Sequence, residues 1–108
     1  MEKEIYYRGT SDIQLKKELN EKGLFPYNNK IWLTADEGDA RYYARFNADS
    51  SPREGNPVVI KINISRDKLK VSGMSGKDAY ILKDEKNNFI PLDDILFIEH
   101  LDKYKLNF

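Results

Sequence analysis

The stretch Tyr7-Arg8-Gly9-Thr10-Ser11 joins a β-prone run to the start of an amphipathic helix pattern. The run from Ile5 to Arg8 is rich in residues that favour strands, and Gly9-Thr10-Ser11 is typical of a turn. Ser11-Asp12-Ile13-Gln14 has the capping-box pattern of a helix N-terminus, and Gly23 stands where a C-terminal cap belongs. The sequence therefore predicts a strand, a turn and a first helix over residues 12–22.

The same stretch carries residue types that suit an anionic ligand. Arg8 offers a planar fork of donors that matches a phosphate or a ribose edge. Gly9 allows the backbone to approach a ligand closely, and the hydroxyls of Thr10 and Ser11 stand beside a helix N-terminus, which attracts anions. Two interpretations stay open: a ligand-binding junction, or a strand-ending turn with an exposed arginine and a capped helix.

A second group of candidate residues lies in the stretches Ile31-Trp32-Leu33-Thr34 and Ala40-Arg41-Tyr42-Tyr43-Ala44. The first stretch predicts a strand, and the capping pattern that begins at Thr34 predicts a second helix ending near Phe46. A tryptophan on a strand and a tyrosine on the next helix are able to flank a flat heterocycle. The alternative is that Trp32 and Tyr43 pack against each other in the core.

The second half of the chain reads as a run of strands. Over residues 58–64 the apolar residues Val58, Ile60, Ile62 and Ile64 fall on one face and Lys61 and Asn63 on the other, which predicts a half-buried strand. Further strands are expected at Leu69–Ser72, Ala79–Lys83, Asn88–Ile90 and Ile95–Leu101. The order strand, helix, strand, helix, then strands indicates an α+β fold with two helices in the N-terminal half, and we expect a single domain over residues 1–108.

Composition excludes several classes of protein. The chain has 108 residues, with 18 Lys and Arg, 18 Asp and Glu, one His and no Cys. Balanced charge argues against a polyanion as the main partner, so we expect a protein partner rather than a nucleic acid. A single His (His100) and no Cys argue against a metal site and fit a reducing, cytoplasmic setting. No apolar stretch is long enough to span a membrane, so no membrane association is expected.

Taken together in order, these segments resemble the ADP-ribosyltransferase superfamily. There a first strand ends in Arg-Gly or His-Gly-Thr, and a second strand and helix carry an aromatic residue, a Ser, Thr or Ala, and an Ala-x-x-Tyr motif. The resemblance implies an ADP-ribosyltransferase-like split β-sheet with a cleft for NAD. It assigns the ribose and phosphate to Arg8, Gly9 and Thr10, and the nicotinamide to Tyr43 and Trp32, with Thr34 nearby.

The resemblance also implies the chemistry, which is transfer of ADP-ribose from NAD to a macromolecular acceptor through an oxocarbenium-like state. The superfamily places a catalytic Glu just before the Tyr of a later strand, and this sequence has Ala79 before Tyr80. Asp78 and Glu85 are the carboxylates that stand near that position, so with Arg8 they are the candidate catalytic residues. A superfamily branch without that Glu, the RNA 2'-phosphotransferase-like proteins, is similar in layout, but its His-bearing motifs are absent here.

The expected function is therefore that of an NAD-dependent mono-ADP-ribosyltransferase-like protein, for example a small bacterial or phage effector. Two alternatives stay open. One is a catalytically inactive module of the same fold that binds NAD, ADP-ribose or another nucleotide. The other is a small protein-interaction inhibitor whose aromatic residues lie in the core and in an interface.

Overall fold

Strands and helices alternate in the first half of the chain, and strands follow in the second. The structure is a computed structural model that describes residues 3–27, 31–50, 54–71, 79–82 and 89–101. The elements are β1 (Lys3–Ser11), α1 (Asp12–Glu18), β2 (Gly23–Leu24), β3 (Trp32–Thr34), α2 (Glu37–Ala48), β4 (Pro57–Ser65), β5 (Leu69–Val71), β6 (Ala79–Leu82), β7 (Ile90–Pro91) and β8 (Ile95–His100), with 3₁₀ turns at Arg66–Lys68 and Leu92–Asp94. This order confirms the predicted α+β class.

Within the described residues the strands form two antiparallel sheets. The larger sheet has six strands in the order β5-β6-β3-β1-β4-β8, and β2 pairs with β7 in the smaller one. The long central strands β1 and β4 pair along their whole lengths, from Lys3 opposite Ser65 to Ser11 opposite Pro57. By contrast, β1 and β3 pair at one position among the described residues, where Tyr7 lies opposite Thr34.

The two faces of the large sheet have different coverings. One face contributes to an apolar core with α1 and the small sheet; the buried residues of this core are Tyr6, Leu15, Leu24, Ile31, Leu33, Val58, Ile60, Ile62, Ile64, Leu69 and Ile90. The alternation predicted over residues 58–64 is confirmed, because Val58, Ile60, Ile62 and Ile64 are fully buried on this face. Helix α2 packs on the other face through Ala40 and Ala44.

The predicted turn at Gly9-Thr10-Ser11 is wrong, because β1 continues to Ser11 and α1 begins at the next residue. Pairing with β4 keeps these residues extended, and Gly9 lies opposite Val59. The glycine is needed for close packing of α2. A Cβ atom at Gly9 would come within 1.9 Å of the carbonyl oxygen of Ala40, so a side chain would push the helix away from the sheet.

Both helices differ at their ends from the sequence prediction. Helix α1 ends at Glu18, with Leu19 as its C-cap. Gly23 is in β2, where its φ of 152° favours glycine. The N-cap of α2 is Asp36, whose carboxylate accepts hydrogen bonds from the backbone N–H groups of Gly38 and Asp39. Among the described residues, neither helix has the length and apolar character needed to cross a membrane.

Candidate functional site

Strand β3 presents Trp32 and Thr34 on the face of the sheet that α2 covers. Thr34 lies opposite Tyr7 in β1, and Tyr7 packs against the cluster of Ala40, Ala44 and Val59. Side chains alternate along a strand, so Trp32 shares the face of Thr34 and the intervening residue points to the opposite side. Leu33 is indeed buried in the apolar core on that opposite side.

Helix α2 directs Tyr43 towards β3. With 3.6 residues per turn, Arg41 and Tyr43 project from opposite flanks of a helix whose underside is Ala40 and Ala44. Arg41 reaches the edge of the sheet formed by β8, where its Nη2 donates to Glu99 Oε1 at 2.7 Å. Because β3 and β8 lie on opposite sides of β1 and β4, Tyr43 occupies the flank above β3.

Neither aromatic ring of this pair is a buried core residue. Tyr43 is 41% exposed, and Trp32 is partly exposed. Core packing of the two rings was one alternative that the sequence left open, and it is not the arrangement observed. Both rings have free surface on the same side of the sheet, where a planar ligand is able to stack.

Thr34 links the strand to the helix. Its Oγ1 is buried and accepts a hydrogen bond from the backbone N–H of Asp36 at 3.1 Å. Asp36 then caps α2 through Gly38 N at 2.7 Å. These short contacts fix the distance between the end of β3 and the first turn of α2, and they therefore fix the position of Tyr43 relative to Trp32.

Strands β1 and β3 separate next to this aromatic pair. Two residues beyond the Tyr7–Thr34 pair, Gly9 would lie opposite Trp32 if the two strands stayed paired. The Gly9 carbonyl accepts instead from Asn47 Nδ2 at 3.1 Å, and the Trp32 carbonyl accepts from Arg8 Nη1 at 3.2 Å. Side chains thus satisfy both carbonyls at the point where the two strands part.

Arg8 lies on the other face of the sheet, inside a buried polar network. Its Nε donates to Glu18 Oε1 at 3.0 Å and its Nη2 donates to Glu18 Oε2 at 2.5 Å. Gln14 Nε2 also donates to Glu18 Oε2, at 2.9 Å, and to the carbonyl of Tyr27 at 3.3 Å. All the nitrogen atoms of the Arg8 guanidinium therefore contact protein acceptors, and a direct contact to a ligand would require one of these bonds to be exchanged.

The structure divides the predicted ligand-binding residues between the two faces. Trp32, Thr34 and Tyr43 lie on the α2 side of the sheet, where the Tyr43 ring meets the Tyr42 ring edge-on with centroids 5.7 Å apart, and the Gly9 backbone lies under α2. Arg8 and Thr10 alternate with Gly9 and lie on the core face, where both are buried. Thr10 Oγ1 is buried without a hydrogen-bond partner among the described residues.

The two candidate catalytic carboxylates, Asp78 and Glu85, lie outside the described residues. The backbone of Ala79 lies opposite Thr34 in the pairing of β3 with β6. Among the described residues, no group of three or more His, Cys, Asp or Glu side chains is placed to hold a metal ion.

Sequence reasoning did not identify Glu18 and Gln14 as partners of Arg8. They are one helical turn apart on α1, so their side chains lie on the same face of the helix. Both were hidden in the sequence because polar residues at this spacing are common on solvent-exposed helix faces. The Glu18 side chain is 0% exposed because it pairs with Arg8 on the strand beneath α1. The sequence alone does not show that these two residues meet.

Charges on α2 are satisfied locally. Hydrogen bonding to Glu37, helped by the nearby charge and hydrogen bond of Glu99, raises the pKa of Arg41 above its ordinary value. Arg41 thereby ties the first turn of α2 to β8 and leaves the flank that carries Tyr43 free of this ion pair. The Arg41 ion pairs therefore lie on the β8 side of α2, and Tyr43 lies on the opposite flank.

No family model matches the chain, and neither a curated protein nor a solved structure matches it.

Proposed function

We propose that the chain binds NAD on the α2 side of the sheet, beside β3, and transfers ADP-ribose from it to a macromolecular acceptor. The observation that carries this proposal is the pair of partly exposed rings, Trp32 and Tyr43, held on one side of the sheet where β1 and β3 separate. In this proposal the fold is the ADP-ribosyltransferase-like split sheet that the order of motifs implies.

The two rings would bind the nicotinamide ring by stacking, which needs a flat partner and no fixed charge. In this proposal the ribose attached to the nicotinamide would lie beside the two rings, on the α2 side of the sheet. Arg8 supports this arrangement from the other face by holding the Trp32 carbonyl at 3.2 Å. Arg8 therefore contributes to the site as a positioning residue in the described conformation.

In the proposed reaction an acceptor nucleophile forms a bond to the ribose carbon that carries nicotinamide. The bond from that carbon to the nicotinamide nitrogen breaks, nicotinamide leaves as a neutral molecule, and the acceptor loses a proton. A carboxylate that stabilises the developing positive charge would lower the barrier. Asp78 and Glu85 are the proposed sources of this carboxylate, and a protein acceptor is proposed because the chain carries no net charge.

A second candidate function is binding of NAD, ADP-ribose or another nucleotide without turnover. The specific observation in its favour is the register of β3 with β6, which sets Ala79 opposite Thr34. That is the place where the superfamily has its Glu, and alanine supplies no charge there. Loss of a group that stabilises transition-state charge lowers a rate by orders of magnitude and need not abolish ligand binding.

The test is a titration of purified protein with NAD, followed by assays of nicotinamide release and of ADP-ribose label on proteins in a cell extract. Tyr43→Ala should weaken NAD binding about 5- to 150-fold, because stacking on an aromatic ring contributes about 1–3 kcal/mol. Phe97→Ala is the matched control, since Phe97 is also an aromatic residue that is 59% exposed but lies on β8, at the edge of the sheet away from β3. It should leave the affinity unchanged.

Three results separate the candidates. Label transfer that Tyr43→Ala abolishes supports the transferase. Saturable NAD binding without nicotinamide release, weakened by Tyr43→Ala, supports the binding module. Absence of both binding and turnover at millimolar NAD overturns both proposals and leaves the protein-interaction alternative.

A further inference from the structure

A buried polar network connects helix α1 to the strand that carries Trp32. It starts at Gln14 and Glu18 on α1, passes through Arg8 on β1 and ends at the Trp32 carbonyl. The Arg8 side chain is 7% exposed and the Glu18 side chain 0% exposed. Exchange of these bonds with solvent is therefore strongly restricted.

We propose that Glu18 is a positioning residue of the nucleotide site and sets the orientation of Trp32 through Arg8. This inference rests on the proposed function for its ligand, and it adds a residue on a helix that contributes nothing else to the site. Glu18 lies on the face of the sheet opposite to the aromatic pair, so its effect on the ligand is transmitted by the backbone of β3.

The geometry of the guanidinium group supports this role. Two parallel hydrogen bonds to one carboxylate fix both the position and the plane of the Arg8 fork. The remaining nitrogen, Nη1, is then directed at the Trp32 carbonyl. Neutralising or shortening the Glu18 side chain would free the fork to rotate, and the Trp32 carbonyl would lose its fixed donor.

The backbone near Trp32 has little other support from β1. The register of β3 with β1 is the pair of Tyr7 with Thr34. The Trp32 carbonyl accepts from Arg8 Nη1, and the Gly9 carbonyl accepts from Asn47 Nδ2. On the side of β1, the Trp32 carbonyl is thus held by a side chain rather than by a continuous ladder. The other edge of β3 pairs with β6, with Trp32 opposite Ile81, so Arg8 is the contact that holds the Trp32 carbonyl on the β1 side.

The network also contacts the segment that precedes residues 28–30. Gln14 Nε2 donates both to Glu18 Oε2 and to the Tyr27 carbonyl, and the backbone carbonyl of Glu18 accepts from Phe25 N at 2.8 Å. Glu18 is therefore bonded, directly or through one side chain, to the segments that precede and follow these residues.

The intrinsic fluorescence of the protein tests this inference directly. Trp32 is the one tryptophan in the 108-residue sequence, so emission and acrylamide quenching report on this position alone. In Glu18→Gln we expect a shifted emission maximum, at least a twofold change in the quenching constant and at least fivefold weaker NAD binding. Ile62→Ala, a core substitution outside the network, is the control for general loosening and should change none of the three.

A double variant keeps the test valid if Glu18→Gln does not fold. Arg8→Met with Glu18→Leu replaces the buried pair by apolar side chains of similar size, a change that is often neutral or stabilising. It removes the donor to the Trp32 carbonyl while the core stays filled. We expect a folded protein in which Trp32 quenching and NAD affinity change as they do in Glu18→Gln.

Wild-type quenching and wild-type NAD affinity in the folded double variant would overturn the inference. Altered Trp32 quenching with unchanged NAD affinity would overturn it as well, because the network would then orient Trp32 without consequence for the ligand. If the wild-type protein does not bind NAD, the proposed function fails, and the inference fails with it unless adenosine diphosphate ribose, used as a second probe, binds in a Glu18-dependent way.

Discussion

The guanidinium group of Arg8 and the carboxylate of Glu18 form a buried bidentate ion pair, with Nε–Oε1 at 3.0 Å and Nη2–Oε2 at 2.5 Å. The pair joins the central strand of the sheet to helix α1. This pair explains why Arg8, which the sequence suggested either as a ligand-binding residue or as an exposed arginine, is buried on the core face of the sheet. Its removal has consequences for stability that are separate from any effect on a ligand.

Glu18→Ala should destabilise the protein by about 3–5 kcal/mol, because it leaves the Arg8 charge buried without its partner. The measurement is the free energy of unfolding from urea titration followed by circular dichroism. Glu21→Ala is the control, since Glu21 is exposed, and a change within about 0.5 kcal/mol is expected there. Equal effects of the two substitutions would show that the Arg8–Glu18 pair adds nothing to stability.

Gly9→Ala should destabilise the protein by about 3 kcal/mol or more, through displacement of α2 from the sheet. The added Cβ would lie 1.9 Å from the Ala40 carbonyl oxygen and 2.7 Å from the Ala44 nitrogen, and both are backbone atoms that cannot rotate away. Gly38→Ala is the matched control, because its Cβ would meet Asp36 Oδ1 at 3.1 Å. A small change, below about 1 kcal/mol, is expected at Gly38.

The sequence predicts those parts of the fold in which local pattern and burial agree. The period-two alternation over residues 58–64 and the capping pattern over residues 34–37 require no knowledge of the rest of the chain. Both identify their elements, although the N-cap of α2 is Asp36 and not Thr34. The strand–helix order follows from them, and with it the α+β class. Strand β2, at Gly23–Leu24, was missed because a two-residue strand has no pattern of its own and exists through its pairing with β7.

The errors occur where contacts between distant residues determine the local structure. Gly9-Thr10-Ser11 has the composition of a turn, but pairing with β4 extends it. Helix α1 ends at Glu18 because Leu19 forms a β-bridge with Leu24 and the Glu18 carbonyl accepts from Phe25. No local pattern contains these partners. The positions of Trp32 on a strand and of Tyr43 on the next helix were predicted because strand and helix patterns are local, whereas the partner of Arg8 depends on tertiary packing.

Thr10→Val should stabilise the protein by about 1–2 kcal/mol. Thr10 Oγ1 is buried and has no hydrogen-bond partner among the described residues, and an unsatisfied buried hydroxyl costs about 1–3 kcal/mol. Valine has nearly the same shape and a higher preference for strands. The midpoint of urea unfolding should therefore increase without a change in its slope.

The matched control for Thr10 is Thr34→Val, which should have the opposite sign. Thr34 is also a buried strand residue, but its Oγ1 accepts from the backbone N–H of Asp36. Removal of this acceptor should destabilise the start of α2 by about 1 kcal/mol. If both valine substitutions stabilise the protein, the hydroxyl of Thr10 is not the source of the gain.

Asp12 should make the stability fall as the pH is lowered. Its pKa lies below the ordinary value of 3.8, chiefly because the carboxylate accepts the backbone N–H of Asn56. A carboxyl group whose pKa is lower in the folded state stabilises the protein above the unfolded-state pKa, and this contribution is lost as the pH falls through the folded-state value. The stabilisation by Asp12 should therefore be complete well above pH 3.8 and should be lost progressively as the pH falls below that value.

Urea unfolding of wild type and Asp12→Asn across this pH range measures the effect. The difference in unfolding free energy should be largest near neutral pH and should shrink towards acidic pH, because protonated Asp12 resembles asparagine in charge. Asn56→Ala separates the two contacts to Asp12: it removes the Nδ2 bond at 3.2 Å and retains the backbone N–H at 2.9 Å. Since the backbone bond has the larger effect on the pKa, Asn56→Ala should keep most of the pH dependence, and a flat profile in that variant would contradict this assignment.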